Sequence, residues 1–288
     1  MDGNVVRRVG FAIVAIPVAA AIVYLGGWPL VVLLSLAGLL GTRELYDLAQ
    51  RTDVRPLRIP GLLAAMLMAP ATYAVLRDPR AAAIVARWWG LGLAAVVIVI
   101  LLWLLASRGP NDRPLAVGSI TLFGVLYAGA LPSVLLVIRH GGVDPRPAVA
   151  TALVFFPLVV TWICDTAAMF GGRSFKGPRM APTISPGKTW SGGVSGVVGA
   201  LLAVPLLQLV MLRPLGLDLG WLPLMVIALA IGLLGQLGDL AESLFKREAG
   251  VKDSSNLIPG HGGVLDRLDS LYFVLPVTVL LYRLFGVI

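Results

Sequence analysis

The sequence predicts an all-α protein that crosses a membrane about nine times. Hydrophobic residues make up 58% of its 288 residues and charged residues only 13%, whereas a soluble domain carries about 25% charged residues. The mean hydropathy is +0.91, and apolar stretches long enough to span a bilayer recur along the chain. This composition excludes an intrinsically disordered chain. The single cysteine, Cys164, excludes a disulfide-stapled secreted domain.

Nine apolar stretches predict the transmembrane helices. In chain order they are Val9–Leu25, Leu30–Leu48, Ile59–Leu76, Ala81–Ala106, Leu115–Ile138, Ala148–Phe170, Val194–Leu212, Trp221–Phe245 and Leu271–Val287. The second and third are the least regular, because Glu44, Asp47 and Pro70 interrupt them. The first follows two arginines and superficially resembles a signal peptide, but no soluble domain follows it, so we expect an uncleaved helix.

The basic residues predict the orientation of these helices. The net charge of +8 comes from short basic clusters between apolar runs, which is typical of membrane topology rather than of nucleic-acid binding. With the N-terminus inside, 16 of the 23 Lys and Arg residues fall in inner segments. The outer ones are Arg77, Arg80, Arg87, Arg139, Arg146, Arg213 and Arg283. This excess predicts a cytoplasmic N-terminus.

The two halves of the chain differ in the chemistry of their connections. Before residue 150 the connections are short and chemically plain, whereas two later inner connections are crowded with Gly, Pro, Ser and charged residues. We therefore predict that residues 1–147 form a scaffold of transmembrane helices. Residues 148–288 are predicted to form the catalytic region, with its site at the cytoplasmic face.

The first polar connection begins at Asp165 and ends at Gly193. An ionised side chain within an apolar span costs about 2.5–3.5 kcal/mol on insertion scales, so Asp165 is expected to face a partner, an ion or a water-filled cavity. An ion pair with Arg173 at the helix end is the alternative. The glycines, hydroxyls and cations that follow suit a loop that holds phosphate, although any cytoplasmic loop of a membrane protein is basic.

The second polar connection carries carboxylates on two successive helices. Four polar residues have the spacing of one helix face at the cytoplasmic end of the eighth span: Asp239, Glu242, Ser243 and Lys246. Asp266 and Asp269, three residues apart, open the ninth span and are expected to share a face. Clustered carboxylates repel one another unless a cation compensates them. An oxygen-only cage suits Mg²⁺ better than zinc.

Simpler interpretations of these residues remain open. Glu242 has the i, i+4 spacing of an ion pair with Lys246. Lys252 and Asp253 fit a solvated loop pair, and His261 between glycines fits a turn.

The polar segments resemble those of a known family. Residues 243–269 read Ser243-Leu-Phe-Lys246-Arg247, four further residues, then Lys252-Asp253-Ser-Ser255-Asn-Leu257-Ile-Pro259-Gly-His261-Gly262-Gly263-Val-Leu-Asp266-Arg267-Leu-Asp269. This stretch resembles the signature of phosphatidate cytidylyltransferases (CDP-diacylglycerol synthases). Similar upstream pieces are Asp165…Gly172-Arg173, Ser185-Pro-Gly-Lys188-Thr-Trp and Gly238-Asp239-Leu-Ala-Glu242-Ser243. The N-terminal half resembles the family only in hydropathy.

The resemblance implies an activity, its cofactor and its partners. The expected reaction joins phosphatidate and CTP to give CDP-diacylglycerol and pyrophosphate. It is expected to depend on Mg²⁺, with room for a second cation. The expected protein is a homodimer in a bacterial-type inner membrane, surrounded by lipid, with no nucleic-acid partner.

The residues of the motifs are expected to divide the work. Asp239 and Asp266 are the predicted primary metal ligands, with Asp269 and Asp165 as further metal or outer ligands. The predicted phosphate contacts are Lys188, Lys246, Arg247, Lys252 and Arg267. Ser185, Ser243 and His261 are expected to help bind substrate. Arg267, between two aspartates, fits a structural ion pair equally well.

Two other functions compete with this interpretation. A CTP-dependent lipid-alcohol kinase would transfer the γ-phosphate, but the His-Gly-Gly-x-x-Asp-Arg-x-Asp run argues against it. A cation-coupled transporter would carry broken helices in matching positions of two halves, whereas these polar clusters lie at helix ends in the second half only. The tandem acidic pattern of CDP-alcohol phosphotransferases does not occur.

Overall fold

The computed structural model describes residues 15–142, 144, 146–257 and 262–288. The start of the first predicted span and His261 lie outside these residues. Ten helices and two strands follow one another in the described part: α1 (Ala15–Leu25), α2 (Gly27–Gln50), α3 (Arg58–Arg77), α4 (Pro79–Ser107), α5 (Pro114–His140), α6 (Pro147–Phe175), β1 (Arg179–Ala181), β2 (Ser185–Thr189), α7 (Trp190–Leu215), α8 (Trp221–Glu248), α9 (Leu265–Leu268) and α10 (Leu271–Leu284).

The helices confirm the predicted fold class. Among the described residues, seven helices, α2 to α8, are long and apolar enough to cross a membrane. The short apolar helix α1 and the 14-residue helix α10 overlap the first and last predicted spans. Almost all of the apolar helix α4 is exposed, with Leu104 its one buried residue. An exposed apolar surface of this length is typical of a helix that faces lipid.

A small hairpin is the feature that the all-α prediction missed. Strands β1 and β2 pair antiparallel, with Arg179 opposite Thr189 and Ala181 opposite Ser185. Strand β2 is the stretch Ser-Pro-Gly-Lys-Thr, which lacks the apolar alternation that marks a strand in a sequence. The hairpin leads directly into α7, where the Thr189 hydroxyl accepts a hydrogen bond from the Gly192 N–H and caps the helix.

Glycines bring α7 close to α6. A Cβ at Gly192 would lie 2.8 Å from the Ala168 carbonyl oxygen, and one at Gly196 would lie 3.1 Å from that of Cys164. Small residues at such a face let two membrane helices pack at backbone contact. This packing fixes the C-terminal end of α6 against the N-terminal end of α7.

Polar contacts join α2 to α5 in the N-terminal half. The Thr42 hydroxyl donates to the Gly124 carbonyl at 3.1 Å, and the Tyr46 hydroxyl donates to the Thr121 carbonyl at 2.7 Å. The acceptor region borders a π-helical turn over Val125–Ala130. Both donors are buried, so they hold the two helices in one register at the end that carries Glu44.

Candidate active site

A polar cavity lies where α6, the hairpin, α7 and α8 meet. Its volume is about 490 Å³. Its polar walls come from Asp165, Arg173, Lys188, Thr189, Gln236 and Asp239. A second cavity of about 520 Å³ has mainly apolar walls, including Leu45, Phe123 and Phe245, and Glu248 is its single ionisable lining residue. The first cavity, not the larger second one, therefore has the chemistry of an active site.

Lys188 and Asp239 form the central ion pair of the polar cavity. The Lys188 ammonium lies 2.7 Å from Asp239 Oδ2 and donates to the Gln236 carbonyl at 3.3 Å. The Ser243 hydroxyl donates to Asp239 Oδ1 at 3.3 Å. Asp239 and Ser243 share a face of α8, as their spacing predicted. Lys188 of the hairpin strand β2 thus forms an ion pair with Asp239 of the transmembrane helix α8.

Two further carboxylates belong to the same electrostatic environment. Burial raises the pKa of Asp269 to about 6, and the negative charges of Asp239 and Asp165 raise it as well. The backbone approach is close, because a Cβ at Gly238 would lie 2.7 Å from the Asp269 carbonyl oxygen. Asp165 also lines the cavity directly. Asp165 and Asp239 thus line one cavity from two helices, and Asp269 lies near enough for their charges to raise its pKa.

Asp266 faces a different set of partners. Its Oδ1 accepts from the Lys246 ammonium at 2.7 Å, and its Oδ2 accepts from the N–H groups of Ser254 and Gly263, each at 2.8 Å. Burial alone would raise the pKa of Asp266, but these hydrogen bonds lower it below its usual value. In this structure protein donors surround the Asp266 carboxylate, and its predicted role as a metal ligand beside Asp239 stays a prediction.

Lys246 is buried between two carboxylates. Its ammonium lies 3.0 Å from Glu242 Oε1 and 2.7 Å from Asp266 Oδ1. The ion pair with Glu242 confirms the simpler interpretation of the i, i+4 spacing. The charge of Lys246 is thus compensated within the protein, and its predicted contact with phosphate stays a prediction. Glu242 is fully buried.

Glu44 is the residue of this region that the sequence analysis did not identify. Its carboxylate accepts from the hydroxyls of Ser254 at 3.0 Å and Ser255 at 2.7 Å. It also accepts from the N–H groups of Val264 at 3.0 Å and Leu265 at 2.8 Å. In the sequence, Glu44 appears as an interruption of an apolar span. Like Asp165, it is a carboxylate in such a span and therefore needs a partner, which is the signal that identifies it.

The remaining predicted residues have varied surroundings. Arg247 donates to the carbonyls of Ile184 at 2.9 Å and Val251 at 3.1 Å, so it ties the hairpin turn to the signature segment. Ser185 is partly buried in β2, whereas Lys252 and Arg267 are exposed. His261 is not among the described residues, so its predicted role stays a prediction.

The oxygen donors of the cavity suit a hard cation. Within the described ranges, no group of three Asp, Glu, His or Cys side chains is close enough to hold a metal ion by itself. Mg²⁺ is usually bound by one or two carboxylates that are supplemented by water and substrate phosphates. Asp239, with Asp165 or Asp269, matches that donor set, and the mutual repulsion of these acids favours a cation between them.

Comparison with known proteins agrees with the motifs. Residues 6–285 match the profile of the "Cytidylyltransferase family". A Bacillus subtilis protein named phosphatidate cytidylyltransferase is 32% identical over 278 residues, covering 93% of this chain and 96% of that protein. Proteins of the same name from Haemophilus influenzae and Brucella suis are 37% and 42% identical. Those alignments cover 66% and 57% of this chain, and less than two thirds of each relative, 63% and 56%.

Proposed function

The chain belongs to the cytidylyltransferase family, as the signature at residues 243–269 predicted, and we propose that it transfers the cytidylyl group of CTP to phosphatidate. The products are CDP-diacylglycerol and pyrophosphate. The observation that carries the proposal is the polar cavity between the transmembrane helices, where Lys188 pairs with Asp239 and Asp165 lines the same wall. Both substrates, an anionic lipid and a nucleoside triphosphate, need a site that combines a positively charged side chain with carboxylates that can hold a cation.

The reaction needs charge control more than a general base. A phosphate oxygen of phosphatidate attacks the α-phosphorus of CTP, and the bond from that phosphorus to the oxygen bridging to the β-phosphate breaks. The nucleophile is already an anion, so no proton must be removed from it. The barrier comes from repulsion between that anion and a triphosphate, which preorganised cations lower.

The cavity residues divide this electrostatic work. Lys188 is poised over the cavity, so its ammonium can exchange Asp239 for a phosphate oxygen when CTP enters. Arg173, at the rim, adds a second cation. Bound Mg²⁺ would be held by Asp239 with Asp165 or Asp269, and it supplies positive charge against the triphosphate. Lys246 and Asp266 are not among the cavity's lining residues, and their ion pair joins α8 to α9.

The depth of the cavity suits a substrate pair from two phases. Helix α6 has 29 residues, so it is about 44 Å long, which exceeds the hydrocarbon thickness of about 30 Å. Asp165 lies about 15 Å before the end of this helix at 1.5 Å per residue. A helix that begins at the outer boundary would place Asp165 near the inner one. Water-borne CTP and a lipid headgroup can meet at that level.

The proposal includes a location and an assembly. The excess of basic residues in inner segments supports a cytoplasmic site in a bacterial inner membrane. A homodimer is part of the proposal because it is expected of the family that the motifs resemble.

Position-specific labels of CTP test the reaction. The purified protein in lipid micelles receives phosphatidate, Mg²⁺ and CTP labelled at either the α- or the γ-phosphorus. We expect the α label in the lipid phase and the γ label in pyrophosphate. Transfer of the γ label to lipid would identify a kinase instead, and pyrophosphate release without phosphatidate would contradict cytidylyl transfer.

A further inference from the structure

Glu44 lies in the half of the chain that the sequence analysis treated as scaffold. It belongs to α2, more than 200 positions from the signature segment that it contacts. Its side chain is 3% exposed. In the described part of the chain no Lys or Arg forms an ion pair with it, although Asp47 on the same helix pairs with Arg58 at 2.7 Å. A buried charge in this position is compensated by its hydrogen-bond donors.

All four of those donors belong to the signature segment. The hydroxyls of Ser254 and Ser255 come before the Pro-Gly-His-Gly-Gly stretch, and the N–H groups of Val264 and Leu265 come after it. Two oxygens of one carboxylate thus join both ends of this stretch. The N–H groups of Val264 and Leu265 have fixed directions, whereas the serine hydroxyls can rotate, so the backbone donors restrict how the later end sits against Glu44.

The same contacts lead on to the carboxylates of the C-terminal half. The Ser254 hydroxyl lies 3.0 Å from Glu44 Oε2 and 2.8 Å from Asp266 Oδ2, so the two carboxylates share its single hydrogen. Asp266 in turn holds Lys246 at 2.7 Å. Gly263 also faces Glu44, and a Cβ at that position would overlap the Glu44 carboxylate and the Ser254 hydroxyl. The fit therefore requires a glycine where the signature has one.

From this geometry we propose that Glu44 is a positioning residue for cytidylyl transfer. It fixes both ends of the signature stretch and, through Ser254 and Asp266, the position of the short helix α9 that precedes Asp269. The catalytic effect of Glu44 rests on the proposed function, whereas its contact with the signature segment is independent of that function. Groups that orient the residues of a reactive site typically contribute 10–100-fold to activity or metal affinity.

Glu44→Gln tests this role with Asp47→Asn as the matched control. Both substitutions remove one negative charge from α2, but only the first changes a residue that contacts the signature segment. Two experiments are made on the full-length protein in lipid micelles with Mg²⁺. The first measures the hydrogen exchange of the Val264 and Leu265 amides, and the second measures kcat and KM for CTP of the folded fraction.

We expect Glu44→Gln to raise the exchange rate of these two amides and to lower kcat by roughly 10–100-fold. Asp47→Asn should leave both unchanged. In a double-mutant cycle, Ser255→Ala should add little to Glu44→Gln, because both act on the same contact.

Unchanged exchange in Glu44→Gln would overturn the proposal, and so would faster exchange with kcat unchanged, which would leave Glu44 a purely structural residue. If the wild-type protein transfers no cytidylyl group, the proposed function fails. The exchange of the two amides then still decides whether Glu44 holds the segment.

Discussion

Replacing Lys246 by methionine separates the structural role that the contacts indicate from the phosphate contact that the sequence suggested. Lys246 lies between Glu242 and Asp266, with ammonium-to-oxygen distances of 3.0 and 2.7 Å. Methionine keeps most of the apolar stem but removes the charge. Two buried carboxylates would then lose their shared cation.

The size of the effect follows from burial. The Glu242 side chain is 0% exposed and the Asp266 side chain 5%. Removing one partner of such a buried pair typically costs about 3–5 kcal/mol, since the charge left behind is uncompensated. Asp266 keeps its donors from Ser254 and Gly263, so the larger share of the cost falls on Glu242. We therefore expect Glu242→Gln to recover roughly 0.5–3 kcal/mol in the Lys246→Met background.

Equilibrium unfolding by SDS in mixed micelles measures these free energies, and titration of CTP into the folded proteins measures binding. Lys252→Met is the matched control, because Lys252 is exposed and its loss should change stability by about 0.5 kcal/mol or less. If Lys246→Met unfolds like the wild type but no longer binds CTP, Lys246 contacts phosphate and the structural interpretation is wrong.

Three other substitutions test the cavity and its supports. Lys188→Met should weaken CTP binding by roughly tenfold, because one charge-assisted contact is lost. An unchanged affinity in a CTP titration would show that Lys188 does not contact the nucleotide. Burial, and then the charge of Asp239, raise the pKa of Asp269 from 3.8 to about 6. The folded protein therefore holds the Asp269 proton more tightly than the unfolded chain does. The stability that this proton contributes is fully present below pH 3.8 and is lost as the pH rises through about 6. The melting temperature in EDTA should therefore fall as the pH rises through this interval. Added Mg²⁺ and the substitution Asp269→Asn should each suppress the fall. A melting temperature in EDTA that does not change with pH would contradict the raised pKa of Asp269. Gly192→Ala should destabilise the fold in thermal melts, because its Cβ would meet the Ala168 carbonyl at 2.8 Å, whereas Gly90→Ala, in open space, should not. Equal melting temperatures would disprove the close helix contact.

Hydropathy was sufficient to predict the seven long helices α2 to α8, because each must present about 20 apolar residues to the bilayer. It predicted even the weakest spans, where Glu44, Asp47 and Pro70 interrupt the pattern. The hairpin at Ser185–Thr189 escaped, because its five residues carry no apolar alternation. Local pattern also placed Asp239 and Ser243 correctly on one face of α8.

The division of labour among the carboxylates could not be predicted from spacing. Asp266 and Asp269 are three residues apart and chemically identical, yet the first pairs with Lys246 and the pKa of the second is raised by burial and by the charges of Asp239 and Asp165. That difference depends on contacts between distant segments. The link from Glu44 to Ser254 and Ser255 is of the same kind, because no local periodicity relates residues from opposite halves of a chain.

The central claim is that cytidylyl transfer takes place in the cavity that Asp239 and Lys188 share. The most direct measurement is the rate at which the α label of CTP enters lipid for the wild type and for Asp239→Asn. Asp218→Asn on the loop before α8 is the control. We predict that Asp239→Asn lowers kcat by roughly 10²–10³-fold while the control stays at the wild-type rate. A rate for Asp239→Asn close to that of the wild type would show that the reaction takes place elsewhere.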